Sequence, residues 1–208
     1  RTLNPLQQAT IFTNDAAQRI VSITDPLNRT TCFAFDANNR KTAATNAALE
    51  ATRTSFNARG EAVQSVDGAS HVVLRAFDAA GNQTALTNRN GKKWQFQFDA
   101  ANRLTNTITP LNRQTWQVFN NRGLLDKLRE PSGEWTTNLY DPKGRLTNIT
   151  DAVASRVIRY DANNNVTNII ENGKTNAWAF DAYDRVQSYR DADGNLIQYK
   201  YDASGNLT

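Results

Sequence analysis

The side chains in this sequence that could do chemistry arrive as a recurring phrase. Phe98-Asp99-Ala100-Ala101-Asn102-Arg103-Leu104-Thr105 sets a carboxylate near a guanidinium. The phrase returns as Phe35-Asp36-Ala37-Asn38-Asn39-Arg40, Tyr140-Asp141-Pro142-Lys143-Gly144-Arg145-Leu146-Thr147, Phe180-Asp181-Ala182-Tyr183-Asp184-Arg185-Val186 and Tyr201-Asp202-Ala203-Ser204-Gly205-Asn206-Leu207-Thr208. A ladder of carboxylates is the raw material for hard-metal binding or acid catalysis. An active site, however, is a singular constellation on a scaffold, and these acids recur in unit after unit. Other reactive groups are sparse. His71 is the single histidine and Cys32 the single cysteine, which leaves no partner for a histidine triad, an internal disulfide or a cysteine metal cluster. Ser70, beside His71, lacks a triad context. No catalytic residue, no metal site and no cofactor is expected.

What positions these residues is a ruler. Taking the acid of each phrase as its anchor gives Asp15, Asp36, Asn57, Asp78, Asp99, Asn120, Asp141, Asp161, Asp181 and Asp202, spaced by 21 residues with two steps of 20. A fixed step of this size marks a repeat architecture. Phe or Tyr precedes every anchor except the first, which follows Asn14. Three residues beyond the anchor stand Gly, Asn or Asp, with Gln18 in the first copy. Gly, Asn and Asp tolerate positive φ, and an Asp or Asn at the first turn position can accept a hydrogen bond from the N–H two residues on. Anchor and left-handed column together predict a type I turn followed by a bulge, a common hairpin connection.

A second turn signal follows about ten residues later, at Asp25-Pro26-Leu27-Asn28-Arg29, Asp67-Gly68, Asn88-Arg89-Asn90-Gly91, Glu130-Pro131-Ser132-Gly133 and Asp191-Ala192-Asp193-Gly194. Asn4-Pro5-Leu6 repeats it, so the sequence is read as beginning mid-repeat. The one-residue shortenings fall near Asp151-Ala152 and Glu171-Asn172-Gly173, where loops absorb deletions.

Between turns lie segments of about six residues, near the usual strand length. In the strand entering the anchor, Phe96 and Phe98, Phe33 and Phe35, Trp178 and Phe180, and Tyr199 and Tyr201 share a face, with small or polar residues between. Period two with aromatics on one side is a half-buried strand. In the strand leaving the anchor, Leu146 and Ile149, or Val166 and Ile169, are separated by three residues, which predicts a bulge or burial on both faces. Trp94 and Trp178 fall on the aromatic face. Cys32 falls opposite it. Trp116 and Trp135 stand at even offsets before Asn120 and Asp141, so they too fall opposite the aromatic column. They are the candidate ligand-binding residues, a stacking platform for a sugar or a partner protein.

The totals bound the rest. The 208 residues carry 24 Lys and Arg against 20 Asp and Glu, a net charge of +4. The charges are interspersed, without the clustered cations that nucleic acid demands, so no nucleic-acid partner is expected. No apolar run is long enough to span a membrane, and no signal peptide is visible. Opening on Arg1-Thr2-Leu3 and lacking methionine, the sequence is read as a fragment of a longer chain. The fold expected is all-β: one array over residues 1–208 of about nine tandem 21-residue β-hairpins, forming a long, coiled antiparallel sheet. Its ends should be covered or extended by further repeats, because bare edges invite aggregation.

The column pattern Tyr/Phe-Asp-x-x-Gly/Asn-Arg/Asn-Leu/Val-x-x-Ile/Leu-Thr-Asp-x-x-Gly resembles the RHS repeat, also called the YD repeat, across essentially the whole sequence. Asn14, Asn57 and Asn120 mark degenerate copies. The resemblance implies a non-catalytic segment of a spiral β-sheet shell or barrel. In bacterial members such shells enclose a C-terminal toxin, including in insecticidal toxin complexes, and teneurins use a similar barrel in cell adhesion. It therefore implies an enclosed or C-terminal toxin domain as partner, or a cell-surface glycan or protein, and a secreted or cell-surface location. The alternatives are a carbohydrate- or protein-binding module and homotypic assembly into an extracellular filament. The self-cleaving core and variable toxin tip that follow the repeats in many members have no counterpart in these residues, so no toxin chemistry is assigned to them.

Overall fold

The structure, a computed structural model, describes residues 2–208 apart from residues 4 and 7. The turn signal at Asn4-Pro5-Leu6 therefore lies partly outside the described residues. The anchor turns form as their chemistry requires. At Asp99 the backbone N–H bonds to the carbonyl of Arg103 at 3.0 Å, and the N–H of Asn102 bonds back to the Asp99 carbonyl at 3.0 Å. Oδ1 of Asp99 accepts from the N–H groups of Ala101 and Arg103. Asn102 takes φ 59°, the left-handed conformation its column predicts. Even Gln18, the departure from that column, adopts φ 63°.

The second turns are built the same way. Asp25 closes on Arg29 and Asn28, and its Oδ1 accepts from Leu27 and Arg29. The repeat is thus two nearly equivalent hairpin turns in succession. Both shortenings fall in second turns: Asp151 closes on the carbonyl of Ala154, one residue early, and Glu171 pairs with Lys174 across a two-residue turn at Asn172 and Gly173. Positive φ at both central residues is what a two-residue hairpin turn needs.

Two compact units result, Arg1–Arg113 and Gln114–Thr208. In each, every regular element among the described residues is a β-strand, and no helix occurs that is long and apolar enough to cross a membrane. Strands pair antiparallel with their sequence neighbours, as in the hairpins Lys93–Phe98 with Leu104–Ile108 and Trp135–Tyr140 with Leu146–Thr150. The odd interval in the leaving strand is a bulge, as expected. Tyr140 faces Leu146 and Asn138 faces Ile149, so Thr147 is the extra residue that returns both apolar side chains to the aromatic face. Its hydroxyl donates to the carbonyl of Leu139. Thr105 does the same to Gln97.

Neither unit has a core in the usual sense. Among the described residues no hydrophobic side chain is fully buried, and Asn106, 1% exposed, is the one buried residue. Each strand packs against its sequence neighbours alone within its unit. Stability must then come from cross-strand pairs of roughly 0.2–1 kcal/mol each and from ties between neighbouring repeats. Trp178 and Tyr189 are such a pair, with ring centroids 5.2 Å apart.

The left-handed column makes a direct test. Gly144 sits at φ 85°, and a Cβ there would meet only Leu124 Cδ1 at 3.8 Å, so the backbone bears the whole cost of a side chain. Gly144→Val should lower stability by about 1–3 kcal/mol. Gly144→Asn, the residue that already holds this conformation at Asn102 and Asn164, should cost clearly less in the same urea melts.

Candidate functional site

The acid–arginine pair of the phrase is a joint between repeats. Arg145 Nε donates to Asp141 Oδ2 at 2.7 Å, an ion pair within one turn whose side chains are 23% and 16% exposed. The other end of the same guanidinium donates to the Asp161 carbonyl at 3.1 Å and to Asn164 Oδ1 at 2.9 Å, both in the next anchor turn. Its flat face lies 4.6 Å from the ring centroid of Tyr160, the aromatic before that anchor. Tyr160 completes the joint by donating its hydroxyl to the carbonyl of Leu146 at 2.8 Å. Arg40 repeats the arrangement on Asp36, the Asn57 carbonyl and the Phe56 ring, and Arg19 repeats it on Asp15, the turn at Asp36 and the Phe35 ring. Arg185 stacks 4.4 Å over Tyr201.

The degenerate copies keep the joint by moving it. Asn57 and Asn120 lack the anchor charge, and the residues four further on are Glu61 and Leu124. In both copies the arginine sits two residues after the anchor instead. Arg59 reaches the carbonyls of Asp78 and Ala79, and Arg122 reaches those of Asp141 and Pro142. Where asparagine stands at the fourth position, its amide does both tasks at shorter reach. Asn82 Nδ2 donates to Asp78 Oδ2 and to Asn102 Oδ1, and Asn165 Nδ2 to Asp161 Oδ2 and Asp184 Oδ1. His71 takes the equivalent place in a second turn, 3.0 Å from Asp67 Oδ2. Among the described residues no group of three or more His, Cys, Asp or Glu is placed to hold a metal ion.

These contacts set the acids' titration. The side-chain hydrogen bond from Arg19 at Asp15, Arg103 at Asp99 and Arg185 at Asp181 holds each carboxyl below its ordinary value, and the backbone N–H groups at Oδ1 add to this. A carboxyl depressed in the folded state contributes stability above its unfolded pKa, about 3.9, and loses it as pH falls through the lower folded value.

The candidate tryptophans come together on the other face. Cross-strand register places Trp116 of strand Gln114–Phe119 opposite Arg129 of Leu125–Arg129, and Arg129 opposite Trp135 of Trp135–Tyr140. The three form one row. Trp135 is 41% exposed, and the Arg129 guanidinium carbon lies 5.9 Å from its ring centroid. The even offsets found the two indoles but not the arginine between them. Cys32 is exposed. Trp94 lies on the aromatic face with Phe96 and Phe98, half-buried, and Trp178 stacks there on Tyr189.

A meander of hairpins clasped one to the next defines a β-hairpin repeat array. The RHS Repeat family matches residues 15–51 and 77–114, and the Teneurin YD-shell family matches residues 132–208. The chain belongs to the RHS/YD-repeat family. Among solved structures it resembles the crystal structure of TcdB2-TccC3-Cdc42, with a TM-score of 0.58 at 14% identity over 96% of this chain and 15% of that one. TcdB2-TccC3 without its hypervariable C-terminal region gives 0.57 at 14% identity, covering 96% and 15%. A Tc holotoxin pore of Photorhabdus luminescens gives 0.57 at 13% identity, covering 96% and 14%. At these identities the likeness is one of fold, and the chain spans a small part of each of those structures. No curated protein sequence matches the chain.

The pH dependence of stability follows from the depressed carboxyls. Urea midpoints should hold level from neutrality to about pH 5 and fall steeply below about pH 4. Asp181→Asn, which keeps an oxygen for the turn but removes the charge, should lower the midpoint at pH 7 and flatten the acid limb.

Proposed function

We propose that these residues form one repeat array serving as a wall segment of a larger β-sheet shell, and that the shell encloses or displays another domain. The observation that carries this reading is the joint itself: Arg19, Arg40, Arg59, Arg122 and Arg145 each tie one anchor turn to the next. An array held only by neighbour contacts is suited to covering area, because repeats add without needing a common core. The half-exposed aromatic face, with no fully buried hydrophobic side chain among the described residues, is a surface fit to face enclosed contents. The likeness in fold to toxin-complex proteins, one of them named a Tc holotoxin pore, supports a toxin domain as the contents and a secreted or cell-surface place of action. On this reading the segment acts through shape and has no enzymatic activity of its own.

The proposal is tested in the protein that carries these repeats. Arg40→Ala combined with Arg145→Ala removes two joints, each of which includes a cation–π contact of about 0.5–2 kcal/mol. The enclosed domain should then be digested at trypsin concentrations that leave it intact behind the unaltered wall. Equal digestion behind both walls, or a protein that runs as fibres in electron micrographs, would overturn it.

A further inference from the structure

The two rims of the unit Arg1–Arg113 differ in what stands at their tips. Antiparallel pairing of sequence neighbours puts the anchor turns at one end of the strands and the second turns at the other. The central residues of the anchor turns are small or polar, as in Ala16-Ala17, Ala79-Ala80 and Ala100-Ala101. In the second turns, by contrast, Leu6, Leu27 and Leu111 each follow a proline and stand exposed, Leu27 at 69% and Leu111 at 73%. Leu49 is 84% exposed at φ 66°, in the left-handed position that asparagine fills at Asn28 and Asn112. A leucine held there costs backbone strain, and a side chain so exposed gains little packing in return. Behind these tips the exposed cations are Arg29, Arg89, Lys92, Lys93 and Arg113. Three carboxylates share the same turns: Asp25 pairs with Arg29, Asp67 with His71 and Arg89, and Glu50 accepts a hydrogen bond from Asn46. The balance on this rim is therefore positive.

We propose that this rim docks on an anionic lipid surface, its leucines dipping into the acyl boundary and the cations behind them meeting headgroup phosphates. Second turns of consecutive hairpins lie two strands apart, about 10 Å, so Leu6, Leu27 and Leu49 are separate points rather than one dry patch. A protein partner needs a contiguous, closely packed patch, whereas a fluid bilayer closes around isolated side chains. Binding at such a surface adds buried apolar area to the attraction between cations and anionic lipid, and this rim supplies both. Proline before three of the four leucines presets the turn, so little ordering is needed on docking. The second turns of the other unit are acidic, with Glu130, Glu134, Asp151, Glu171, Asp191 and Asp193, which confines the site to this one. The site is independent of whatever the shell encloses.

The test floats the 208-residue chain with vesicles of phosphatidylcholine alone and of phosphatidylcholine and phosphatidylglycerol in equal parts. The chain should float with the acidic vesicles, less with the neutral ones, and come off as salt is raised. Leu27→Ser combined with Leu49→Asn should weaken binding to the acidic vesicles about tenfold or more. Asparagine suits the left-handed conformation at position 49, so urea melts should show this variant folded. Lys92→Gln combined with Arg113→Gln should remove most of the preference for acidic over neutral vesicles. Ala17→Ser combined with Ala100→Ser, on the anchor rim, should leave flotation as it was. Three outcomes each overturn the proposal: no flotation with the acidic vesicles, flotation unchanged in the leucine variant, or leucines that join two copies on a sizing column while the chain fails to float.

Discussion

A guanidinium offers two N–H edges and two flat faces, and an arginine four residues after an anchor acid, such as Arg19, Arg40 or Arg145, uses edge and face together. One edge closes its own turn through Asp141 Oδ2, the far end reaches the carbonyl of the next anchor, and the face covers the next aromatic. Lysine, a point charge on a flexible stem, cannot serve three partners in three directions. The rest of each unit depends on this arrangement, because pairing alone joins strands edge to edge and leaves successive turns free to fan apart. The clasp fixes their spacing at the tips, where the ladder of main-chain bonds has ended. Its displacement to Arg59 and Arg122 in the copies built on Asn57 and Asn120 shows that the joint, rather than any one position, is what the repeat preserves.

The contrast between the two faces follows from the same economy of partners. On the aromatic side, rings are covered by arginines and by hydroxyl bonds such as that of Tyr160 to Leu146, so residues there are committed to holding the wall. The opposite face lacks such obligations in the strands around Trp135. Its side chains are set only by alternation and register, which leaves them free to differ from copy to copy. Singular chemistry on a repeat scaffold belongs where the repeat makes no demand.

Much of the local structure was legible in the residues. Asp99 and Asn102 announce their turn because few residue types suit either position, and the three-residue interval between Leu146 and Ile149 announces the bulge because no regular strand allows it. The reach of Arg145 was not legible. Its partners Asp161 and Asn164 lie beyond a second turn, and contact across that distance depends on how successive hairpins stack, which no pattern within one repeat encodes. The clue available was the arginine's shift by two residues wherever the anchor lost its charge. Arg129 escaped for a related reason: even offsets assign Trp116 and Trp135 to a face, whereas placing an arginine between them requires the register across an intervening strand. Nor could alternation reveal the missing core, since Phe96 and Phe98 would alternate identically beneath a second layer.

That missing core has a thermal consequence. The heat capacity of unfolding tracks the apolar surface newly wetted, and globular domains reach about 12–15 cal/mol/K per residue because their cores are dry. Here the rings of the aromatic face are already partly wet in the folded state, so melting uncovers less, and the increment per residue falls below that range. A smaller heat capacity change flattens the curve of stability against temperature. An array made this way trades a high summit of stability for a broad plateau, and it holds its shape with little variation across that span of temperature.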